Sequence, residues 1–341
     1  MSNKIRWGIL ATGAIAKKFA EGLADVPDAE LVAVGSRSQA GADAFGDTYG
    51  VPHRHGSYAA LANDPDVDII YIATPHSKHK EDSLLCLNAG KHVLCEKPFT
   101  INRREAEEVV ALARQKKLFL MEGMWTRFIP AVVKARELIA AGAIGEVRMV
   151  QSHFGFRADD DESGRLVDPA LGGGGLLDVG VYPIAFSYMV FGEAPTQVLG
   201  MATMESGVIA ATGAPAQGGA GVDEQAGFLL GFSKGRMAVC TSAVRTTTPY
   251  DTYILGTTGM IKVHAPFWCS ENVSVIREEQ PEEVYHCPRG GNGFNCEAAA
   301  VGAALREGKL EHPWMPLDES LQIMGTMDTL RAQWGLKFPM E

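Results

Sequence analysis

Asp178 and Tyr182 follow a glycine run at 172–175 and lie four residues apart. On a helix that spacing sets both polar groups on one face, next to each other. A phenol and a carboxylate so placed could move the proton of an alcohol. An unperturbed tyrosine titrates near pH 10, too high for efficient base catalysis at neutrality unless a cation stands close by. Near the start of the chain, Ala11-x-Gly13-x-x-Ala16 follows the apolar run 5–10. It fits G-x-G-x-x-G/A with alanine in the first place, and small residues there let backbone amides at a helix start approach a pyrophosphate. Gly8, Ala11, Thr12, Gly13, Ala14 and Ile15 are therefore the candidate dinucleotide contacts. At the end of the next apolar run stands Gly35-Ser36-Arg37-Ser38, with no acid before Asp43. An acid at that point would bond a ribose 2′-hydroxyl, whereas a guanidinium and two hydroxyls suit a 2′-phosphate. Ser36, Arg37 and Ser38 thus point to NADP over NAD, and the chemistry to hydride exchange at a carbinol carbon.

Such groups need elements to hold them. Apolar runs at 5–10, 31–34, 67–73, 91–95 and 118–121 alternate with helical stretches at 17–24, 39–49, 58–63, 80–89 and 103–116. That alternation predicts an α/β Rossmann domain, a doubly wound parallel sheet, over residues 1–123. From 124 onward the pattern changes to closely spaced strands at 146–154, 196–204, 228–232, 237–241, 253–256, 260–263 and 273–277. Short turns between them predict an α+β domain over 124–341 with an open, mostly antiparallel sheet, one face covered by helices 129–141, 178–191 and 295–307. The helix at 317–334 is assigned to neither domain, and 210–221 reads as an exposed, flexible loop. The sheet's other face is rich in apolar side chains, so a homodimer through it is expected. The active site is expected in the crevice at the carboxyl ends of the parallel strands.

The bulk properties exclude other classes. The 341 residues are 46% hydrophobic and 21% charged, with a net charge of −10 and no basic block that would track a phosphate backbone, so nucleic acid is not an expected partner. Cysteines at 86, 95, 240, 269, 287 and 296 form no CxxC or Cys/His ladder, so reduced thiols, a cytoplasmic setting and no metal are expected. Lys4 and Arg6 before an apolar run mimic a secretory leader, but the run is short and broken by Gly8 and Gly13. No run of 18 apolar residues predicts a membrane span.

Several longer motifs carry a resemblance. The opening Gly8-Ile9-Leu10-Ala11-Thr12-Gly13-Ala14-Ile15-Ala16, the run Ala73-Thr74-Pro75 with His79, Glu96-Lys97-Pro98, and Gly145-Glu146-Val147 resemble the Gfo/Idh/MocA oxidoreductases over nearly the whole chain. The stretch 121–128, Met-Glu-Gly-Met-Trp-Thr-Arg-Phe, and the stretch 171–182 resemble the branch of dimeric dihydrodiol dehydrogenases and NADP-dependent D-xylose dehydrogenases. The resemblance implies cofactor contacts from Ala73, Thr74, Pro75, His79, Glu96, Lys97, Trp125 and Arg127. It also implies pocket walls from Trp125, Arg127 and Phe154 beside Asp178 and Tyr182, with His153, Arg157 and Arg165 as weaker candidates. Many relatives carry Asp-x-x-x-His in the second stretch, and here Tyr182 replaces the histidine, so a histidine mechanism does not carry over. Lys97 is then the cation that would favour the Tyr182 phenolate, or the direct proton carrier. The expected substrate is a sugar or a trans-dihydrodiol. A reductase direction, redox-assisted processing of another sugar, and an NADP-sensing regulator without turnover are the alternatives.

Overall fold

The computed structural model describes residues 4–158, 164–211 and 221–341. Residues 159–163 and 212–220, the latter part of the loop expected at 210–221, lie outside them. The chain divides into two compact units: 1–100, 104–128 and 289–320 form the first, and 101–103, 129–288 and 321–341 the second.

The first unit is built on strands β1 (Ile5–Leu10), β2 (Ala29–Gly35), β3 (His53–His55), β4 (Ile69–Ile72), β5 (His92–Glu96) and β6 (Leu120–Gly123). Helices α1 (Ala14–Leu23), α2 (Gln39–Tyr49), α3 (Tyr58–Ala62), α4 (His79–Asn88) and α5 (Arg103–Lys116) follow the first five strands in turn. All pairs are parallel and the order is β3-β2-β1-β4-β5-β6. Every residue of β4 is buried, as expected for a strand covered on both faces. Phe19 of α1 stacks on Tyr71 of β4 at 3.7 Å between ring centres, with Trp7 of β1 tilted against it at 5.3 Å. The winding reverses on either side of β1, and in sheets of this kind ligands bind outside the carboxyl ends of the strands at that point.

The second unit opens with α6 (Pro130–Ala140) and β7 (Val147–Gly155), then α7 (Gly164–Val167) and α8 (Val181–Phe191). It continues as β8 (Gln197–Met204), β9 (Ile209–Ala211), β10 (Asp223–Gly231), β11 (Met237–Ala243), β12 (Thr252–Gly256), β13 (Met260–Val263), β14 (Asn272–Ile276) and β15 (Glu283–His286). Among the described residues these form one sheet, β15-β14-β13-β12-β7-β11-β10-β8-β9, antiparallel except for β7 beside β11. Strand alternation is clean: in β10, Ala226, Phe228 and Leu230 are buried while Gln225, Gly227 and Leu229 are exposed. Helix α8 packs on the inner face through Phe186 against Phe267 and Phe191 against Phe232. The segment Pro169–Phe191 is long and apolar enough to cross a membrane by composition, yet most of it is buried inside the protein as a core helix.

The first unit takes in a late segment, 289–320, as well as residues up to 128. Helix α9 (Phe294–Arg306), expected on the second sheet, belongs to the first unit, and α10 (Leu317–Trp334) changes unit after Ser320. The cause is aromatic packing: Phe294 stacks on Trp125 at 4.8 Å and meets Phe19 edge-on at 6.2 Å. Arg306 adds an ion pair with Asp28.

Candidate active site

In the first unit, β1 ends in a turn where Ala11 takes φ +88°, a conformation that glycine adopts without cost. The Ala11 amide donates to the Gly35 carbonyl at 2.9 Å, tying this turn to the end of β2. Gly13 is the N-cap of α1, no side chain caps the helix, and its first turn holds no acid. A Cβ added to Gly13 would meet no atom within 4 Å. Gly13 and Ala14 are exposed, and with no side chain capping the helix the turn fits a pyrophosphate. At the end of β2 the Ser36 amide donates to the His55 carbonyl at 2.9 Å, Ser38 caps α2 by accepting from the Gly41 amide at 3.2 Å, and Arg37 is exposed.

Beside this turn the segments carrying Thr74 and Lys97 are laced together. The Thr74 hydroxyl donates to Asp82 at 2.8 Å, and burial, only partly opposed by that bond, pushes the Asp82 carboxyl up to about 6. His79, expected at the cofactor, is fully buried and joins two loops: its Nδ1 lies 2.8 Å from the Pro98 carbonyl and its Nε2 2.9 Å from the Thr74 carbonyl. Glu96 accepts from the Tyr71 hydroxyl and, at 3.2 Å, from the Lys97 amide. Glu122 accepts from the Phe99 amide at 3.1 Å and the Ser320 hydroxyl at 2.7 Å, and its complete burial pushes its carboxyl up to about 7. Glu297, also buried, is pushed well up by burial and by Glu96 and Glu122. Trp125 lies stacked on Phe294, against Gly293 at φ +104°, where a Cβ would come within 2.4 Å of its ring. Arg127, expected at the cofactor or the pocket wall, has a 2% exposed side chain paired with Glu319 and donating to the Trp314 carbonyl at 2.8 Å.

In the second unit, Asp178 lies in a single π-helical turn, Leu176–Gly180, that runs directly into α8 and Tyr182. Such turns insert one extra residue and recur at functional sites. The turn is anchored by Asp223, which accepts from the Leu176 amide at 2.6 Å. Burial pushes the Asp223 carboxyl up to about 7, against the Leu176 amide and the charge of Arg331. Gly174 takes φ +107° just before the turn, and a Cβ there would lie 2.5 Å from Asp223 Oδ1. Arg165 pairs with Asp178 at 3.1 Å. Around Tyr182 the sheet gathers aromatic rings. Phe154 of β7 tilts against Tyr182 at 5.1 Å, stacks on Trp268 at 3.6 Å and meets Tyr250 edge-on at 6.3 Å. His153 turns to Thr241 at 3.0 Å, and burial lowers its pKa. Arg157 is exposed.

Sequence reasoning missed Trp268, Tyr250, Glu122, Asp82 and Asp223. Tyr250 follows Pro249 in the loop before β12 and Trp268 lies two residues beyond Pro266 in the loop after β13, and the pairing of β12 with β7, Thr252 opposite Ser152, carries that end of the sheet to Phe154. The carboxylates had a weaker signal still: Asp82 and Asp223 stand beside Glu81 and Glu224, and nothing local tells which acid is buried.

A parallel sheet of this winding, an uncapped glycine turn after its first strand and a second unit with an open sheet define an NAD(P)-binding oxidoreductase. Residues 5–124 match the oxidoreductase family with NAD-binding Rossmann fold, and residues 132–262 the GFO/IDH/MocA C-terminal domain. The chain belongs to the Gfo/Idh/MocA oxidoreductase family. It is similar to the trans-1,2-dihydrobenzene-1,2-diol dehydrogenases of Danio rerio, 37% identical, and Homo sapiens, 35% identical, covering 99% of both chains in each case. Among solved structures it resembles the aldose-aldose oxidoreductase of Caulobacter crescentus complexed with glycerol, at a TM-score of 0.85 and 25% identity, covering 97% of each chain. It also resembles a 3-ketoreductase of Actinomadura kijaniata solved with NADP and TDP-benzene, at a TM-score of 0.82 and 27% identity, covering 97% of this chain and 98% of that one.

Proposed function

We propose that this chain is an NADP-dependent dehydrogenase or reductase acting on the carbinol or carbonyl carbon of a sugar or a trans-dihydrodiol. The observation that carries the reading is Phe154 tilted against Tyr182 and itself packed on Trp268 and Tyr250, with Asp178 in the preceding turn. Flat rings suit the apolar face of a sugar or a cyclic diol, and a phenol among them can exchange a hydroxyl proton. The names of the similar proteins, a dihydrodiol dehydrogenase and an aldose oxidoreductase, support the same substrate class. When bound, the nicotinamide takes or returns the hydride. The residues of the chain bind, orient and move the proton: Gly13 and the start of α1 for the pyrophosphate, Ser36, Arg37 and Ser38 for the 2′-phosphate, Tyr182 as acid and base. Lys97 is the ammonium that favours the phenolate or carries the proton itself. The exposed Arg37 with no acid in the first turn of α2, and an NADP-bound neighbour, support NADP over NAD. The six free thiols accord with the expected cytoplasmic setting.

Initial rates with NADP or NAD and a panel of aldoses, inositols, anhydrosugars and trans-diols test the reading. Reduction of NADP by one of them is expected. Tight NADP binding with no conversion across the panel, by absorbance and by product analysis, would replace the reading with that of a sensor. Conversion of a sugar without net NADP reduction would favour redox-assisted processing.

A homodimer is part of the same proposal. On the outer face of the sheet Leu199, Met201, Leu229 and Met237 are exposed by 50%, 53%, 41% and 38%, more apolar surface than solvent-facing strands usually show. Sedimentation should find a dimer that Leu229→Lys converts to monomer. A wild-type monomer at every concentration would remove this part.

A further inference from the structure

The histidines of β3 belong to no part of the mechanism above. β3 is the edge strand of the parallel sheet, paired through Ala33 opposite His53 and Gly35 opposite His55. Residues two apart on a strand share a face, so the His53 and His55 rings project the same way. They converge on Asp64, just past the end of α3: His53 Nδ1 lies 2.7 Å and His55 Nε2 2.8 Å from the same Oδ2. The rings stand nearly perpendicular, at 87°, which aims both at that atom. Asp64 itself is buried and rigidly held. Its Oδ1 accepts from the Asp66 amide at 2.9 Å, its amide donates to the Leu61 carbonyl at 3.1 Å, and its carbonyl accepts from Lys91.

We propose that His53, His55 and Asp64 form a binding site for one divalent transition ion such as zinc, held by two imidazoles and a carboxylate with water completing the set. The donor atoms already lie within 4.8 Å of one another. Bonds of about 2.0–2.1 Å in a tetrahedral site put neighbouring donors roughly 3.3 Å apart. Binding therefore asks each ring to withdraw about half an ångström from Asp64 and to turn toward the other. The side chains of His53 and His55 are 37% and 24% exposed and free to make that adjustment, while Asp64 stays fixed. Each neutral ring presents the lone pair of the nitrogen that now faces Asp64, and its N–H moves to the outward nitrogen. The Asp66 amide on the second carboxylate oxygen is the kind of outer contact that orients a ligand. An N,N,O donor set suits zinc, nickel or copper and disfavours magnesium and calcium, which take oxygen ligands. The expectation of no metal rested on cysteine spacing, whereas this trio needs α3 to fold Asp64 back over the strand. Because the His55 carbonyl also holds the Ser36 amide, an ion here would stiffen the strand that supports the Arg37 turn.

Calorimetric titration of metal-stripped protein with zinc chloride, and the visible spectrum on cobalt(II) addition, test the site. One equivalent should bind, with the absorption of a four-coordinate cobalt centre and a raised Tm. His53→Gln and His55→Gln should each weaken binding by about tenfold or more, with NADP affinity as the check that the unit is folded. If His55→Gln fails to fold, the more exposed His53→Gln decides. Absence of saturable binding up to millimolar zinc overturns the proposal. So does binding that survives these substitutions, which would assign the ion to other histidines or cysteines.

Discussion

Each unit fastens a predicted catalytic segment with a buried carboxylate, and the two are braced differently. Glu122 accepts from the Phe99 amide, two residues beyond Lys97, and Asp223 accepts from the Leu176 amide, two residues before Asp178. Both are fully buried and both are pushed up to about 7. Glu122 gains a second donor from Ser320, a residue from far along the chain, and the charge of Arg127 nearby. Asp223 has instead a glycine whose missing side chain gives its Oδ1 room. One carboxylate is accommodated by added partners, the other by a deleted Cβ. The lesson is that burial outweighs both remedies: neither the Ser320 bond nor the Arg331 charge returns its carboxyl to the ordinary range.

The comparison can be tested at four levels. The largest effect should come from the fastened residues themselves. Tyr182→Phe is expected to lower kcat by about 10²–10⁴ with NADP affinity retained. Lys97→Ala should fall in the same range, and the double variant should lose less than the sum of the two if they act as one unit. Retained turnover in Tyr182→Phe would leave Lys97 as the proton carrier.

Next in size is Gly174→Ala. Positive φ costs a non-glycine residue about 1–3 kcal/mol, and here the new Cβ also meets Asp223. A loss of at least that much stability on denaturant unfolding is expected, whereas a neutral result would mean the turn relaxes and Asp223 is not confined.

The carboxylates give a smaller, pH-dependent effect. A carboxyl raised to about 7 in the folded state binds its proton more tightly than in the unfolded chain. Its stabilising contribution is complete below about pH 4 and is lost as pH rises through about 7. Tm should therefore decline between about pH 4 and 7, and Glu122→Gln and Asp223→Asn should each flatten the decline while keeping an oxygen for the backbone amide. Alanine at either site should cost about 1–3 kcal/mol for the unmet amide. Asp223→Ala should also lower kcat with NADP affinity intact, and Asn should restore it. A decline that persists in both amide variants would place the titration elsewhere.

The smallest effect is expected at Ala11. Glycine there relieves φ +88° but adds freedom to the unfolded chain, so Ala11→Gly should change stability by no more than about 1 kcal/mol, toward stabilisation. A loss of NADP affinity in this variant would mean that the Ala11 methyl is itself a contact.

Much was legible in the residues because it is local. The parallel sheet follows from apolar runs spaced by helices, and the turn at 11–16 from small residues after a strand. Its match to a two-domain oxidoreductase needed no long-range contact. Helix α9 looks like any amphipathic helix and was expected on the second sheet, whereas Phe294 stacking on Trp125 ties it to the first unit. The resemblance implied Arg127 and His79 at the cofactor; in the fold Arg127 pairs with Glu319 and the Trp314 carbonyl, and His79 lies between the Pro98 and Thr74 carbonyls.

By itself the sequence determined the fold class and the small-residue turn after the first strand. Both are features whose spacing along one strand, turn or helix decides their geometry. The tertiary structure decided which carboxylates are forced toward their protonated form, which rings stand around Tyr182, and that His53, His55 and Asp64 meet. Those depend on burial and on strand pairing between residues distant along the chain, quantities that no local period encodes.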